Sequence, residues 1–184
     1  KDATIALMGQ GIGIYSGQGS KLFIQGTEES NGDKSVKITG NQEYYTQGVG
    51  IFSNGSEISI ENASILKNFT KSINTQFPSN GIGICVISDI VFTMTNSEVI
   101  GNYGSQEQYG EALGAGIYLQ SSKDNHIIDC DISENKVGYH RNSSLATVSS
   151  GGGIYLSGNL TIKGSSISTN QAAYGGGIAL YASS

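Results

Sequence analysis

A four-residue phrase, Gly-x-Gly-Ile, recurs from one end of the chain to the other. Its copies begin at Gly11, Gly48, Gly81, Gly114, Gly151 and Gly175, at spacings of 37, 33, 33, 37 and 24 residues. A second phrase, Ile/Val-x-x-Asn, precedes most copies and ends at Asn41, Asn68, Asn102, Asn135 and Asn170. Sequence periods of about 20 to 50 residues indicate structural units that stack on one another. Apolar and polar residues alternate between the phrases, as in β-strands. The chain is therefore predicted to be an all-β solenoid of about six coils.

Counting back from each Asn predicts which side chains point inward. The positions ten and eight residues before it hold pairs such as Ile58 with Ile60, Phe92 with Met94, Asn125 with Ile127, and Leu160 with Ile162. The position five residues before it is small, at Ala63, Ser97, Cys130 and Ser165. The repeated Asn itself is predicted to form a ladder, in which side-chain amides bond from coil to coil.

The whole chain, residues 1–184, is predicted to be one β-helix domain and a segment of a longer solenoid. Four polar stretches interrupt the repeat and are predicted to be variable loops: 27–35, 69–80, 103–113 and 136–150. The last three are expected on one side of the rod, because each coil of a solenoid contacts only its neighbours and tolerates insertions at an edge. More chain or a partner is expected to cover at least one end, where strand edges would otherwise be unpaired.

Composition limits the partners and the compartment. The formal charge is −5 with a single arginine, which argues against a nucleic-acid partner. No run approaches the roughly 20 apolar residues that cross a bilayer, so no transmembrane segment is predicted. Glycosylation sequons occur at Asn54, Asn62, Asn68, Asn142 and Asn159 and favour a secreted, cell-surface or other extracellular protein. Asn142 and Asn54 are the expected glycan acceptors, whereas Asn68 belongs to the predicted ladder.

The two phrases resemble the repeats of polymorphic outer-membrane proteins, in which GGx(I/L/V) alternates with FxxN. The resemblance covers nearly the whole chain, although Ile or Val stands where that family has Phe. It implies a right-handed, single-stranded parallel β-helix of the pectin-lyase-like type. It also implies a use in surface-exposed or secreted adhesive proteins.

The residue after each inward Ile is predicted to face outward. These positions hold Tyr15, Phe52, Cys85, Tyr118, Tyr155 and Ala179. Stacked coils would align Tyr15, Phe52, Tyr118 and Tyr155 into an aromatic stripe, since neighbouring strands lie about 4.8 Å apart. Such a stripe is a candidate docking surface for a glycan or a protein. The alternative is that Tyr and Phe stand there only because they favour β-sheet surfaces.

Glu98, Asp129 and Asp131 form the main cluster of carboxylates. Glu98 and Asp131 occupy equivalent positions in consecutive coils, and Asn96 is expected beside Asp129. No catalytic residue, metal or cofactor is assigned, but three interpretations remain open: a Ca²⁺ site, the acids of a carbohydrate-active enzyme, or a solvated acidic patch. A polysaccharide lyase would also need a basic residue, for which Arg141 and Lys163 are the candidates.

The two cysteines are predicted not to form a disulfide, because their side chains lie on different faces. Cys130 is expected to be an inert core thiol, and Cys85 to be accessible in the outer stripe.

The preferred function is an extracellular structural or adhesive solenoid segment that binds glycans or neighbouring protein subunits. Further segments of the same solenoid are included among those subunits. The alternative is a carbohydrate-active enzyme, either a polysaccharide lyase or a glycoside hydrolase, on the same scaffold.

Overall fold

The computed structural model describes residues 3–5, 12–43, 47–55, 57–72, 79–106, 112–138 and 149–181. These residues form β-strands joined by turns and contain no helix. Consequently, none of them provides an apolar helix long enough to cross a membrane. The strands are β1 (Ala3–Ile5), β2 (Ile14–Ser16), β3 (Lys21–Gln25), β4 (Val36–Thr39), β5 (Gln42–Glu43), β6 (Ile51–Ser53), β7 (Glu57–Glu61), β8 (Ala63–Leu66), β9 (Phe69–Ser72), β10 (Ser79–Asn80), β11 (Ile84–Val86), β12 (Val91–Thr95), β13 (Glu98–Ile100), β14 (Tyr103–Gln106), β15 (Ala112–Leu113), β16 (Ile117–Ile128), β17 (Asp131–Ser133), β18 (Lys136–Val137), β19 (Ser149–Ser150), β20 (Ile154–Lys163), β21 (Ser166–Ser168) and β22 (Ile178–Leu180).

The strands stack coil upon coil into parallel sheets. One sheet has the order β1-β4-β8-β13-β17-β21, a second β5-β9-β14-β18 and a third β10-β15-β19. The largest sheet contains the Gly-x-Gly-Ile strands and the strand that follows each of them in the chain. In two coils these two strands are continuous and form the long strands β16 and β20. Every pairing between these named strands is parallel. The chain is therefore an all-β parallel solenoid, as its repeats predict.

The solenoid makes about four turns rather than the expected six coils. Counting six Gly-x-Gly-Ile phrases overestimates the turns, because each end of the chain contributes only part of a coil. The number of strands accordingly differs between the sheets, with three in the sheet of β10, β15 and β19 and six in the sheet that begins with β1.

The core runs along the axis and is built from the predicted inward positions. Ile58, Ile60, Phe92, Met94 and Ile127 are all fully buried. Burying an aliphatic or aromatic side chain of this size contributes about 1.5–3 kcal/mol, so each coil is stabilised chiefly by its contacts with the next. In the last coil, Ile162 is 36% exposed, because no described strand covers it.

The predicted Asn ladder is present. The side-chain nitrogen (Nδ2) of each Asn donates to the side-chain oxygen (Oδ1) of the Asn one coil later. The N···O distances are 2.8 Å for Asn41 to Asn68, 2.9 Å for Asn68 to Asn102, 2.9 Å for Asn102 to Asn135 and 3.0 Å for Asn135 to Asn170. The backbone N–H of each donor residue bonds to the same oxygen. The ladder thus satisfies polar groups that the core would otherwise leave unpaired.

The third residue of the Gly-x-Gly-Ile phrase is glycine because the ladder occupies the space of a side chain. A Cβ added at Gly83 would lie 2.5 Å from the carbonyl oxygen of Gly116 and 3.0 Å from Nδ2 of Asn102. The first glycine has a different role, since Gly81 adopts a positive φ of 57° at the turn before the strand. The two sequence phrases are therefore parts of one packing arrangement.

A smaller apolar cluster lies beside the main core. It contains Val49, Ile82, Ala112, Ala115 and Val137, which are at most 1% exposed. Three of them are the variable residue of Gly-x-Gly-Ile, a position to which the sequence analysis assigned no packing role. The residues at this position are Ile12, Val49, Ile82 and Ala115 in the first four copies, so their shared apolar character was the available signal.

The variable segments are partly ordered strands. Segments 69–80, 103–113 and 136–150 each begin and end in short strands, which belong to the same two sheets in every coil. These three segments therefore leave the same side of the solenoid, as expected. Residues 73–78, 107–111 and 139–148 lie outside the described part of the chain.

Candidate functional site

The outward positions of the Gly-x-Gly-Ile strands align as predicted. Tyr15 pairs with Phe52, Phe52 with Cys85, and Cys85 with Tyr118. The row continues from Tyr118 through Tyr155 to Ala179. These residues are named here the outer stripe.

The aromatic rings of the outer stripe stack in two groups. The centroids of Tyr15 and Phe52 are 5.4 Å apart with an interplanar angle of 9°, and those of Tyr118 and Tyr155 are 5.3 Å apart with an angle of 2°. Tyr181 extends the second group, at 6.4 Å from Tyr155. Stacking at these separations stabilises the rings in one orientation. Tyr15 is nevertheless 63% exposed, which makes it the most accessible member of the stripe among its described aromatic residues.

Cys85 interrupts the stripe, and its predicted accessibility is wrong. The residue occupies the outward register but is fully buried. Phe52 and Tyr118 flank it on the neighbouring strands, and the turn at Gly81 packs close to its Cα. A short side chain between two rings does not reach solvent. Burial also raises the pKa of the Cys85 thiol, which keeps it protonated and unreactive.

Cys130 is a core thiol, as predicted. It is 4% exposed, and its sulfur contacts the carbonyl oxygen of Ile128 at 3.1 Å. Burial is the main cause that raises the pKa of this thiol. The absence of a disulfide between the two cysteines is also confirmed, since both are free.

A second aromatic pair, which the sequence analysis missed, lies on another face. Phe69 and Tyr103 stack with centroids 5.5 Å apart, and Nζ of Lys136 lies 6.0 Å from the Tyr103 ring centroid. Each of these residues directly follows a ladder Asn, so its outward direction was available from the same register.

The structure brings two of the three predicted acids onto neighbouring strands. Glu98 pairs with Asp131 across β13 and β17, and Glu98 accepts a hydrogen bond of 2.9 Å from the Ser64 hydroxyl. Asp129 stands at a turn with a positive φ of 52°, and its carboxylate fills the space that a Cβ on Gly164 would occupy. The described residues contain no group of three Asp, Glu, His or Cys side chains that could hold a metal ion. The calcium interpretation therefore has no geometric support from these residues.

Segment 27–35, predicted to be a loop, is a short antiparallel hairpin. Glu28 bridges to Lys34, and the Ser35 N–H donates to the Thr27 carbonyl at 2.9 Å. Gly32 has a positive φ of 86° at the turn. The Asn-Gly pair at this turn is a strong hairpin signal, which the sequence analysis did not use.

The hairpin places Lys34, a basic residue that the sequence analysis missed, beside the cluster of carboxylates. Lys34 is only 6% exposed and lines one cavity together with Glu98, Asp129 and Asp131. This cavity has a volume of about 290 Å³. Of the two basic residues proposed from the sequence, Lys163 is exposed and is not among the lining residues, and Arg141 lies outside the described residues.

Three side chains close a hydrogen-bonded ring at the edge of this cavity. Nζ of Lys34 lies 3.0 Å from Oδ1 of Asn96 and 3.0 Å from Oε1 of Glu28. Nδ2 of Asn96 donates to Oε2 of Glu28 at 2.8 Å. The Asn96 amide, followed by Lys34, lowers the pKa of the Glu28 carboxyl below its ordinary value. Glu28 is therefore ionised at neutral pH.

The structure describes only one of the two predicted glycan acceptors. Asn54 is half-buried, and its Oδ1 is buried without a hydrogen-bond partner. Asn142 lies outside the described residues. The ladder position of Asn68 is confirmed by its complete burial. Glycosylation at Asn54 and Asn142 stays a prediction.

Comparison with known proteins identifies the family. Searches of curated proteins and of solved structures found no match to this chain. A family model described as a right-handed beta helix region matches residues 22–184, which is most of the chain and includes the ladder, the outer stripe after Tyr15, and the hairpin. The chain therefore belongs to the right-handed β-helix family.

Proposed function

We propose that this chain is a segment of an extracellular structural or adhesive β-solenoid that binds glycans or neighbouring protein subunits through its outer faces. The stacked rings of the outer stripe are the observation that carries the proposal. Rigid aromatic side chains provide contact area at a low cost in conformational entropy, and they are enriched in binding interfaces. The resemblance to polymorphic outer-membrane protein repeats supports the same use at a cell surface.

The end of the solenoid offers a second place for neighbouring subunits. Leu180 is 77% exposed, Tyr181 59% and Ile178 37%, in the last described strand or directly after it. Among the described residues, Asn170 is the last rung of the ladder, and its Nδ2 donates to the Ile132 carbonyl. Another coil with apolar inward residues and an Asn in register would cover the exposed apolar side chains and continue the ladder. This supports stacking of further solenoid segments on that end.

A binding experiment with matched variants tests the outer stripe. The protein is assayed against immobilised neutral and acidic glycans, and Tyr15→Ala is compared with Phe23→Ala. Phe23 is 61% exposed but lies on β3, outside the stripe. Tyr15→Ala is expected to weaken binding about tenfold, equivalent to about 1.4 kcal/mol, and Phe23→Ala to leave it unchanged. Equal losses in both variants, or no binding to any glycan or subunit, contradicts the proposal.

The enzymatic alternative retains one supporting observation, the cavity that joins Lys34 to Glu98, Asp129 and Asp131. In a lyase, the lysine would take a proton and a carboxylate would orient the sugar. The test is release of products from acidic and neutral polysaccharides by the wild type and by Asp131→Asn. Turnover that this substitution abolishes replaces the structural proposal, whereas a lack of turnover on all substrates removes the alternative.

A further inference from the structure

The ring of Lys34, Asn96 and Glu28 has the composition of a reactive site. An amine lies 3.0 Å from the oxygen of a carboxamide, and a single carboxylate contacts both the amine and the amide nitrogen. The carboxamide carbon is only about 1.2 Å from that oxygen. The amine is therefore close to the carbon that it would attack.

The surrounding contacts hold the three groups in place. Lys34 is 6% exposed, so its long side chain is confined between the hairpin and the solenoid. Asn96 adopts a positive φ of 44°, and its Nδ2 also donates to Oδ1 of Asn62 at 2.7 Å. The hairpin bridge places Glu28 directly opposite Lys34. Holding reactants in such an arrangement lowers the entropic part of a reaction barrier.

We propose that Lys34 and Asn96 form an intramolecular isopeptide bond, with Glu28 carrying the proton. The Lys34 ammonium first gives a proton to the Glu28 carboxylate. The neutral Nζ then attacks Cγ of Asn96 and forms a new C–N bond. The bond from Cγ to Nδ2 breaks, and the Nδ2 amide group, which carries two hydrogens, takes the proton from Glu28 and a second one from Nζ and departs as ammonium. The reaction consumes no oxidant, reductant or other reagent.

The bond would tie the hairpin to a coil 62 positions further along the chain. A covalent link across so long a loop stabilises a fold mainly by restricting the unfolded chain. It would also consume the Lys34 amine, so the cross-linked protein lacks the base that a lyase at this cavity requires. The cross-link therefore accords with a structural role and goes beyond ligand binding at the outer stripe.

Mass spectrometry of the whole folded chain tests the bond. The wild type, incubated at neutral pH, is expected to be lighter than its sequence mass by one ammonia molecule. Trypsin does not cut after a lysine whose amine is an amide, so digestion should yield peptide 22–37 joined to peptide 72–123. Lys34→Arg and Glu28→Gln should keep the full mass and give no joined peptide.

Two controls separate this reaction from others. Lys37→Arg removes a neighbouring lysine, which pairs with Asp33 at 3.9 Å, and this variant should still lose ammonia. Cyclisation of an asparagine to a succinimide also releases ammonia, but it joins no peptides and persists in Lys34→Arg. Either a wild type of full mass with a cleavable Lys34, or an ammonia loss that survives Lys34→Arg, overturns the proposal.

Discussion

At the scale of single residues, the fold depends on two partners that meet in every coil. A ladder Asn places its amide against a glycine of the Gly-x-Gly-Ile phrase, and the pair leaves no room for a Cβ. Close packing makes such positions sensitive even to a single methyl group. The glycine and the Asn recur because the stacked coils leave no space for a side chain at the glycine position.

Substitution of one glycine tests this requirement. Gly83→Ala should lower the free energy of unfolding by at least about 1–3 kcal/mol, because the new methyl group overlaps the Gly116 carbonyl. Gly177→Ala is the matched control, since the nearest atom to its added Cβ is 3.7 Å away, in ordinary contact. Urea denaturation of both variants measures the difference. Equal stabilities contradict the packing described here.

The burial of Cys85 gives a second prediction at this scale. In the folded protein, a thiol-alkylating reagent should label neither cysteine, because Cys85 is fully buried and Cys130 is 4% exposed. Burial raises the pKa of both thiols, so raising the pH moderately should not expose a reactive thiolate. Peptide mapping after alkylation provides the measurement, and unfolding in urea should make both residues reactive. Rapid labelling of Cys85 in the native state contradicts its described burial.

At the scale of elements, the strand register could be predicted from the sequence, but the contacts between side chains of different coils could not. The positions of Phe92, Met94 and the ladder Asn follow from counting within a repeat, because the inward direction alternates regularly along a strand. Cys85 was misjudged because its accessibility depends on Phe52 and Tyr118 in other coils. Lys34 was missed because the hairpin folds back onto the solenoid, and its direction depends on contacts with Asn96 rather than on local sequence.

The hairpin itself is expected to be dispensable for the fold. Compared with Lys34→Arg, which cannot form the cross-link, replacement of residues 28–34 with two glycines should lower the melting temperature by less than about 5 °C, because Thr27 and Ser35 already lie side by side and solenoids tolerate changes at coil edges. Deleting Val91–Thr95, which carries the buried Phe92 and Met94, should instead prevent folding. Circular dichroism during heating distinguishes the two. Loss of β-structure in the hairpin replacement contradicts the expectation.

At the scale of the whole molecule, stability and function are separated along the coil. Buried Ile, Val and Asn side chains hold the coils together, while exposed side chains such as Tyr15 in the outer stripe lie outside that core. Each coil therefore maintains the core and presents one further copy of the outer positions. This arrangement allows the surface residues to change without affecting the stacking, and it is why the fold was far easier to predict than the ligand.

Proton exchange of the asparagine side chains tests whether the coils stack in one register. After transfer into D₂O, the side-chain NH₂ signals of Asn68, Asn102 and Asn135 should persist in NMR spectra, because all three residues are fully buried and donate within the ladder. Those of the exposed Asn31 and Asn159 should vanish at once. Immediate loss of the three ladder signals in the folded protein would contradict the stacking of the coils in this register.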